Sequence, residues 1–429
     1  MLRFLHLLAE RILRHLKVGN WATFGALGLL ASSVFFWGLS LVAEVYTLHT
    51  ALMAGFILAL LRWSEQPDGQ RIAWVGLLGG MGLAHHAAMA LLGPAAALFM
   101  VTSHPRRLFS PRSILAILAG LLLGLSFYLY LPLRYLAQPA FNYAGMYDAS
   151  LQFNPVDLTT LEGLWWLVSG RAFSGAMMAY TGADLWREAQ SFLVQLGRAF
   201  FAIGIGPGIL GAVVLLRRNW RQGLLFGLMF AFSAGFYINY RVMDKDTMYL
   251  PAYLIWALWV GIGTQELLDW MRQNATDAKH RFAEQVIKAS MIGFVLLAVA
   301  WNWRIVDMSD DWSTRLRGEA ILARAETGGL VFGWWDTVPV VQYLQLVERQ
   351  RPDIKAVNRF LITGSDLEYV IKKEVNNRPI YIDSFPKNLA TELIAKPVGP
   401  IYRLEVRPKA QPAVDPNGRT NGPAAGWQP

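Results

Sequence analysis

Apolar residues along the chain gather into nine runs, near 20–37, 45–62, 72–84, 87–101, 114–133, 191–216, 222–239, 249–268 and 286–303, with short polar and mostly basic stretches between them. An α-helix rises about 1.5 Å per residue, so roughly 20 apolar residues cross the hydrocarbon layer of a bilayer. Most of the runs approach or exceed that length. The third and fourth are short: together, 72–101 is too long for one crossing and barely enough for two, which predicts a shallow hairpin broken at "GLAHHAAM". The expected fold is therefore a polytopic α-helical membrane protein of about nine spans. Ahead of the first run, residues 1–19 set Leu2, Leu5, Leu8, Ile12 and Leu16 on one helical face, with Arg3, Arg11, Arg14 and Lys17 mainly elsewhere. That pattern suits an amphipathic helix lying in the membrane interface, or the remnant of a preceding span.

After residue 304 the periodicity changes. "GGLVFGWWDTVPVVQYLQLVERQRPDIKAVNRFL" reads as strand, turn, amphipathic helix, turn, strand, a βαβ-like unit with Asp336 or Thr337 at the helix N-cap and Pro339 in its first turn. "NRPIYIDSF" and "IYRLEVRP" supply further strands, so 305–408 is expected to be a small α/β domain outside the membrane. Residues 409–429, rich in Pro, Gly and Asn, are expected to be disordered. The transmembrane domain is bounded at 20–304, with a long outer loop at 134–190.

Composition agrees with this picture: 54% of the 429 residues are hydrophobic and 16% charged, against about 25% charged in soluble domains. With no cysteine, disulfides and thiolate catalysis are excluded. A net charge of +9 raises nucleic acid as a partner, but the basic residues lie in the loops between apolar runs, which is a topology signal and excludes that class. With nine spans, the clusters at 3–17, 62–71, 106–112, 217–221 and 272–288 all fall on one face, and the short opposite loops hold only Arg241 and Lys245. The basic face is cytoplasmic by that bias. Glu44, His85, His86, the 134–190 loop, the "YRVMDKDTMYLP" turn and the α/β domain then face outward, away from the cytoplasm.

No local catalytic motif is present in usable context: GxSxG, HExxH, Walker A and dinucleotide fingerprints are all missing. "NAT" at 274–276 matches a glycosylation acceptor but falls on the cytoplasmic face. The informative residues are polar groups at the outer ends of apolar runs, where an ionisable side chain is costly unless it lines a cavity. In "SLVAEVYTLHTAL", Glu44 sits between two spans with a phenol and an imidazole close by. His85 and His86 could bind a metal or a phosphate, or cap a short helix, although neighbours on a helix diverge by about 100° and rarely reach one ion. Arg134 ends a span in "LYLPLRYL", as an interfacial anchor or a guanidinium fork for an anionic head group. Arg241, Asp244, Lys245 and Asp246 crowd one outer turn, as a solvated ion-pair loop or a substrate cleft.

Six stretches taken in order, "WGLSLVAEVYTLHTA", "GLLGGMGLAHHAAM", "YLPLRYLAQPAFNYAG", "TTLEGLWWLVSGRAF", "DKDTMYLPAYLIWALWVGIG" and "LVFGWWDTVPVVQYLQLVERQRPDIKAVN", resemble blocks of the bacterial group related to the transmembrane protein O-mannosyltransferases, within the GT-C class of glycosyltransferases. The resemblance spans roughly residues 20–385. It implies many spans, an outward-facing site, and transfer of a sugar from a polyprenyl-phosphate carrier to a protein or glycan acceptor. It also implies two further spans and an outer loop with an acidic "GDSGE"-like motif ahead of residue 1, which the sequence lacks. An inverting transfer needs a base for the acceptor hydroxyl and cations for the departing lipid phosphate. Glu44 and Asp244 are the expected carboxylates; Arg134, Arg241 and Lys245, with His85 and His86, are expected at the phosphate. A divalent cation, Mg²⁺ or Mn²⁺, is allowed by this reading but not indicated, because hard-ion sites need several oxygen ligands. The alternative is a non-catalytic membrane scaffold that binds a partner through its outer, aromatic-rich segment around Trp165–Trp166.

Overall fold

A computed structural model describes residues 2–242, 244–273 and 278–408. The acceptor triplet at 274–276 and the Pro/Gly-rich tail from 409 lie outside the described residues. The chain divides into two compact units: Met1–Leu136 with Leu158–Asp307, and Ala137–Asp157 with Met308–Pro429.

The first unit is helical. Among the described residues, four helices of this unit are long and apolar enough to cross a membrane, and a bent pair makes a fifth if taken as one span, so this count falls short of the nine predicted runs. Of the four, Tyr46–Glu65 and the stretch Lys245–Gln273 are largely buried inside the unit. Pro111–Leu136 and Phe282–Val306 bury very little and turn leucine and aromatic side chains outward. So much exposed apolar surface is stable against lipid and costly against water. The protein is a membrane protein on that ground.

Two predicted spans are not single straight helices. The run at 20–37 divides into Asn20–Ser32 and Val34–Leu41, bent by 60°. Serine explains the break, because it competes for backbone hydrogen bonds inside helices and favours caps. The Ser33 hydroxyl accepts the Phe36 N–H at 3.2 Å and starts the second helix. Buried Asn302 then donates its side-chain amide to the Ser32 carbonyl at 2.8 Å, which satisfies an acceptor that the bend would orphan. The run at 191–216 breaks between helices Gly182–Ala199 and Ile205–Arg218, where Phe201 and Ala202 take left-handed backbone angles. Pro207 and the glycines beside it discourage an unbroken helix there. The predicted break in 72–101 falls at His86, between helix Gly69–His85 and a 3₁₀ turn that runs into Gly93–Ser103.

At the N-terminus, helix Leu2–His15 packs Leu5, Ala9, Ile12 and Leu13 into the unit's core, against the 46–65 helix and Leu250–Gln273. Helices Gly69–His85 and Pro111–Leu125 approach backbone to backbone. Gly76 and Gly80 on one meet Gly120 and Gly124 on the other, a small-xxx-small stripe that brings the two helix axes close.

The second unit carries a five-stranded sheet and a hairpin. The hairpin pairs β1 (Gly145–Tyr147) with β2 (Phe153–Pro155). Its turn is tied by Asp148, whose carboxylate accepts from the Ser150 and Gln152 amides and the Ser150 hydroxyl; those bonds hold its pKa well below the usual carboxylate range. Although predicted as part of a loop of the membrane domain, this segment packs with the C-terminal residues. Buried Leu151 joins their core, and the Lys355 ammonium donates to its carbonyl at 2.6 Å.

The sheet contains β3 (Leu330–Gly333), β4 (Lys355–Asn358), β5 (Ile380–Ile382), β6 (Leu393–Val398) and β7 (Ile401–Val406), in the order β4-β3-β5-β7-β6. The first three strands are parallel, and β7 and β6 are antiparallel. Alternation along β3 sorts the core. Val331 faces helix Val338–Leu346, while Leu330 and Phe332 face helix Gly364–Glu374. The two helices cover opposite faces, as right-handed crossovers leaving β3 and β4 in opposite directions require.

Candidate active site

In the first unit, four separate stretches meet around the start of the 46–65 helix. Glu44 sits exposed in the turn between Val34–Leu41 and that helix. Next along the chain, Tyr46 is buried and its phenol hydrogen-bonds the Thr247 hydroxyl, which itself donates to the Asp244 carbonyl at 2.8 Å. Glu44 and Asp244 both lie close enough to the Tyr46 phenol to act on it electrostatically. Two carboxylates 200 positions apart in sequence thus act on one hydroxyl. Asp244 is exposed and stands at the N-cap position of the 3₁₀ turn Lys245–Tyr249, without a side-chain capping hydrogen bond.

The histidines split as helix geometry predicts. His85 places Nε2 2.9 Å from the Val45 carbonyl, tying the end of its helix to the Glu44 turn. His86 turns the other way. Its Nδ1 accepts the Ala88 N–H at 3.2 Å, and its ring lies 5.0 Å from the ring of His49 and 5.7 Å from that of Tyr46. His49 is 1% exposed, and its Nδ1 has no hydrogen-bond partner among the described residues. The imidazole in "EVYTLH" is visible in the sequence, but only the fold brings it to the site. What signals it is a polar residue one helical turn beyond Tyr46 on an otherwise apolar face.

The third side of the site comes from residues 176–188. Met177 bridges Tyr240, the Arg241 amide donates to the Ala176 carbonyl at 2.9 Å, and Asn239 receives the Tyr180 amide at 2.8 Å. This docking sets the Tyr180 ring beneath two cations, the Arg241 guanidinium at 4.8 Å and the Lys245 ammonium at 4.6 Å. The two cations differ in what they can do. Arg241 is exposed. Lys245 is buried and ion-paired with Glu188 at 2.5 Å, so the charge expected to hold phosphate is already matched inside the protein. Asp246 is likewise engaged, accepting from Gln195 at 2.7 Å.

Arg134 does not join this cluster. It is exposed on the last helical turn before Leu136 and makes no hydrogen bond or ion pair with another described residue. Among the described residues no three His, Asp or Glu side chains are grouped to hold a metal ion, so no step is assigned to Mg²⁺ or Mn²⁺.

Buried aromatic and imidazole rings, paired carboxylates and an exposed guanidinium at the ends of apolar helices define a membrane protein with a polar site at the margin of its helical unit. Residues 6–108, which carry Glu44, Tyr46, His49, His85 and His86, match the family model of the protein O-mannosyl-transferase TMEM260 N-terminal domain. Over those residues the chain is related to that O-mannosyltransferase family. Among solved structures, the crystal structure of ArnT from Cupriavidus metallidurans bound to undecaprenyl phosphate is similar at 11% identity, with a TM-score of 0.48, over 94% of this chain and 81% of that one. No curated protein matches the chain.

Proposed function

We propose that this chain is a GT-C-type membrane glycosyltransferase that moves a sugar from a polyprenyl-phosphate carrier to an extracytoplasmic acceptor, including protein hydroxyls. The observation that supports the reading is that Glu44 and Asp244, from separate stretches of chain, both act electrostatically on the Tyr46 phenol, with exposed Arg241 three positions before Asp244. One carboxylate takes the acceptor proton as the new glycosidic bond forms, and the other holds the hydroxyls of the sugar or orients the first. The guanidinium takes up charge on the departing phosphate, for which its planar fork is suited. Tyr46 and the tilted ring pair His49–His86 keep the Glu44 turn in register with the 244–249 turn. Arg134 is a separate candidate for the lipid head group, since it ends a helix that buries little of its apolar surface.

The test is transfer in nanodiscs from a short-chain polyprenyl-phosphate mannose to a Ser/Thr peptide. Glu44→Gln is expected to lower turnover about a hundredfold or more, the scale of one general base, with the melting temperature unchanged because Glu44 is exposed. Wild-type turnover in that variant would remove Glu44 from the mechanism.

The proposed site faces outward only if the basic loops are cytoplasmic. Single cysteines at 108 and 219 should resist an impermeant maleimide in intact cells, and those at 145 and 320 should react. Labelling at 219 with protection at 320 would invert the orientation.

A second reading, a partner-binding scaffold, draws on helix Leu161–Val168, where Leu161 and Trp165 stand exposed one turn apart. Loss of partner capture in Trp165→Ala, with no transfer by the wild type, would favour it.

A further inference from the structure

The carboxyl ends of the three parallel strands in the second unit hold polar and aromatic groups that the transfer reading does not use. In open α/β sheets ligands bind outside these ends, where neighbouring strands send their connections in opposite directions. Here that point lies between β3 and β5: the chain leaves β3 for β4 on one side and enters β5 by crossing to the other. The loop after β3 and the segment after β5 are locked together across the gap. The Trp334 amide donates to Asp383 Oδ2 at 2.6 Å, and the Trp334 indole N–H to Ser384 Oγ at 3.3 Å. Gly333 permits this closure, because a Cβ there would press on Thr337 and on the Asp383 carboxylate. From the end of β4, Arg359 reaches over to Asp383 Oδ1 at 3.1 Å and to the Ser384 hydroxyl at 2.6 Å, with its guanidinium 5.0 Å from the Trp334 ring.

Two features point to a ligand. The first is unspent hydrogen-bonding capacity. Asn358 is 1% exposed; its Oδ1 accepts the Phe360 N–H at 2.9 Å, but its Nδ2 has no partner among the described residues, nor has the buried Nε of Arg359. Buried donors are normally satisfied, so a pair of them at a strand-end crevice marks a place where something else can accept. The second is a wall of exposed rings beside that crevice. Trp335 is 40% exposed and Tyr143 37%; their rings meet edge to face at 5.1 Å, and Phe360 adjoins Trp335 at 5.8 Å. The Tyr143 hydroxyl is fixed by Gln342 at 3.0 Å.

Charge decides the class of ligand. Arg359 is matched by Asp383, and Arg317 by Asp336 at 2.8 Å, so the four ionised groups at this edge cancel in pairs. Among the described residues named here, a phosphate or nucleotide would find no unmatched cation. A neutral polyhydroxylated ligand meets both requirements, with C–H faces for the exposed rings and hydroxyl oxygens for the free donors. We propose that the strand-end crevice of the second unit, floored by Asn358, Arg359 and Asp383 and walled by Trp335 and Tyr143, is a binding site for a neutral saccharide.

The site is independent of the transfer reading, because it predicts binding without donor or turnover. The test uses the full chain in nanodiscs and saturation-transfer NMR with neutral tetrasaccharides of mannose, glucose and N-acetylglucosamine, alongside a Ser/Thr-rich peptide and inorganic phosphate. At least one saccharide is expected to bind the wild type, with Trp335→Ala weakening it about tenfold or more, the scale of a lost aromatic platform. Tyr143→Ala should weaken it too, and Trp165→Ala, in the other unit, should leave it unchanged. Because Trp335 and Tyr143 are partly exposed, both variants should keep the wild-type melting temperature. Glu44→Gln should bind saccharide normally even where transfer fails, so the two proposals fail separately. Binding of the peptide or of phosphate with no saccharide bound would overturn the inference, as would saccharide binding that survives both ring deletions.

Discussion

Gly120→Leu should lower the melting temperature and the yield of folded protein in the membrane sharply. At Gly120 a side chain would drive into the Ala73 carbonyl and the Leu77 amide of the facing helix, and at Gly124 into the Leu77 carbonyl. These obstacles are backbone, so no rotamer change relieves them and the helices must part. Parting them uncovers the whole stripe from Gly76 to Gly80 and loses the close packing that holds apolar helices together where lipid offers no hydrophobic drive. Overpacking a core usually costs about 1–3 kcal/mol; a clash against two backbones belongs at the top of that range. The comparison is Gly227→Ala, in helix Trp220–Ile238, where a Cβ would meet nothing within 4 Å. Alanine there should hold or raise the melting temperature, because glycine costs roughly 1 kcal/mol in a helix interior. Fluorescence-detected size exclusion and a thermal melt separate the two outcomes. A Gly120→Leu protein that melts like wild type would show that the helices do not pack through this stripe.

The two apolar runs of this helix pair were legible in the sequence, because hydropathy is a local signal; their close approach through glycines was not. So were β3, the helix after it and β4, where a strand pattern, Pro339 in the first helical turn and a second strand follow in order. The N-cap falls on Thr337, although its side chain makes no capping hydrogen bond. What sequence could not show is which distant pieces meet. Residues 145–155 read as part of a membrane-domain loop, yet they fold with strands some 200 positions further on, because Leu151 and Lys355 find partners only in three dimensions. The run at 191–216 met the test for a span on hydropathy, and the break at 200–204 depends on how a few glycines and Pro207 resolve.

The candidate site divides in the same way. Glu44, Asp244 and the histidines were visible as polar residues in the wrong solvent, and their convergence near Tyr46 follows from helix packing. Lys245 was read as an open cation because nothing local announced Glu188, which is 57 positions earlier on an amphipathic helix. A lysine and an arginine four positions apart look alike in sequence. Their surroundings make one structural and leave the other free.

That difference supplies the second large effect. Lys245→Met should cost about 3 kcal/mol of stability, because it strands the Glu188 carboxylate beside Tyr180 and Tyr249 without its counter-charge. Breaking a fully buried pair costs about 3–5 kcal/mol; Glu188 keeps 26% of its side chain exposed, which places this pair at the lower end. Adding Glu188→Gln should restore most of the loss, since no uncompensated charge then remains, and the double-mutant cycle should report coupling of about 2 kcal/mol. Arg241→Ala should do the opposite. Its guanidinium is exposed over Tyr180, so the melting temperature should hold while binding of a short-chain polyprenyl-phosphate analogue weakens by about 2 kcal/mol, the scale of a hydrogen bond to a charged group. Thermal melts and analogue binding measured on all four variants separate the roles. If Lys245→Met instead kept its stability and lost the analogue, the ammonium would be released from Glu188 to hold phosphate, and the ion pair would be a resting state of the site and not part of its scaffold.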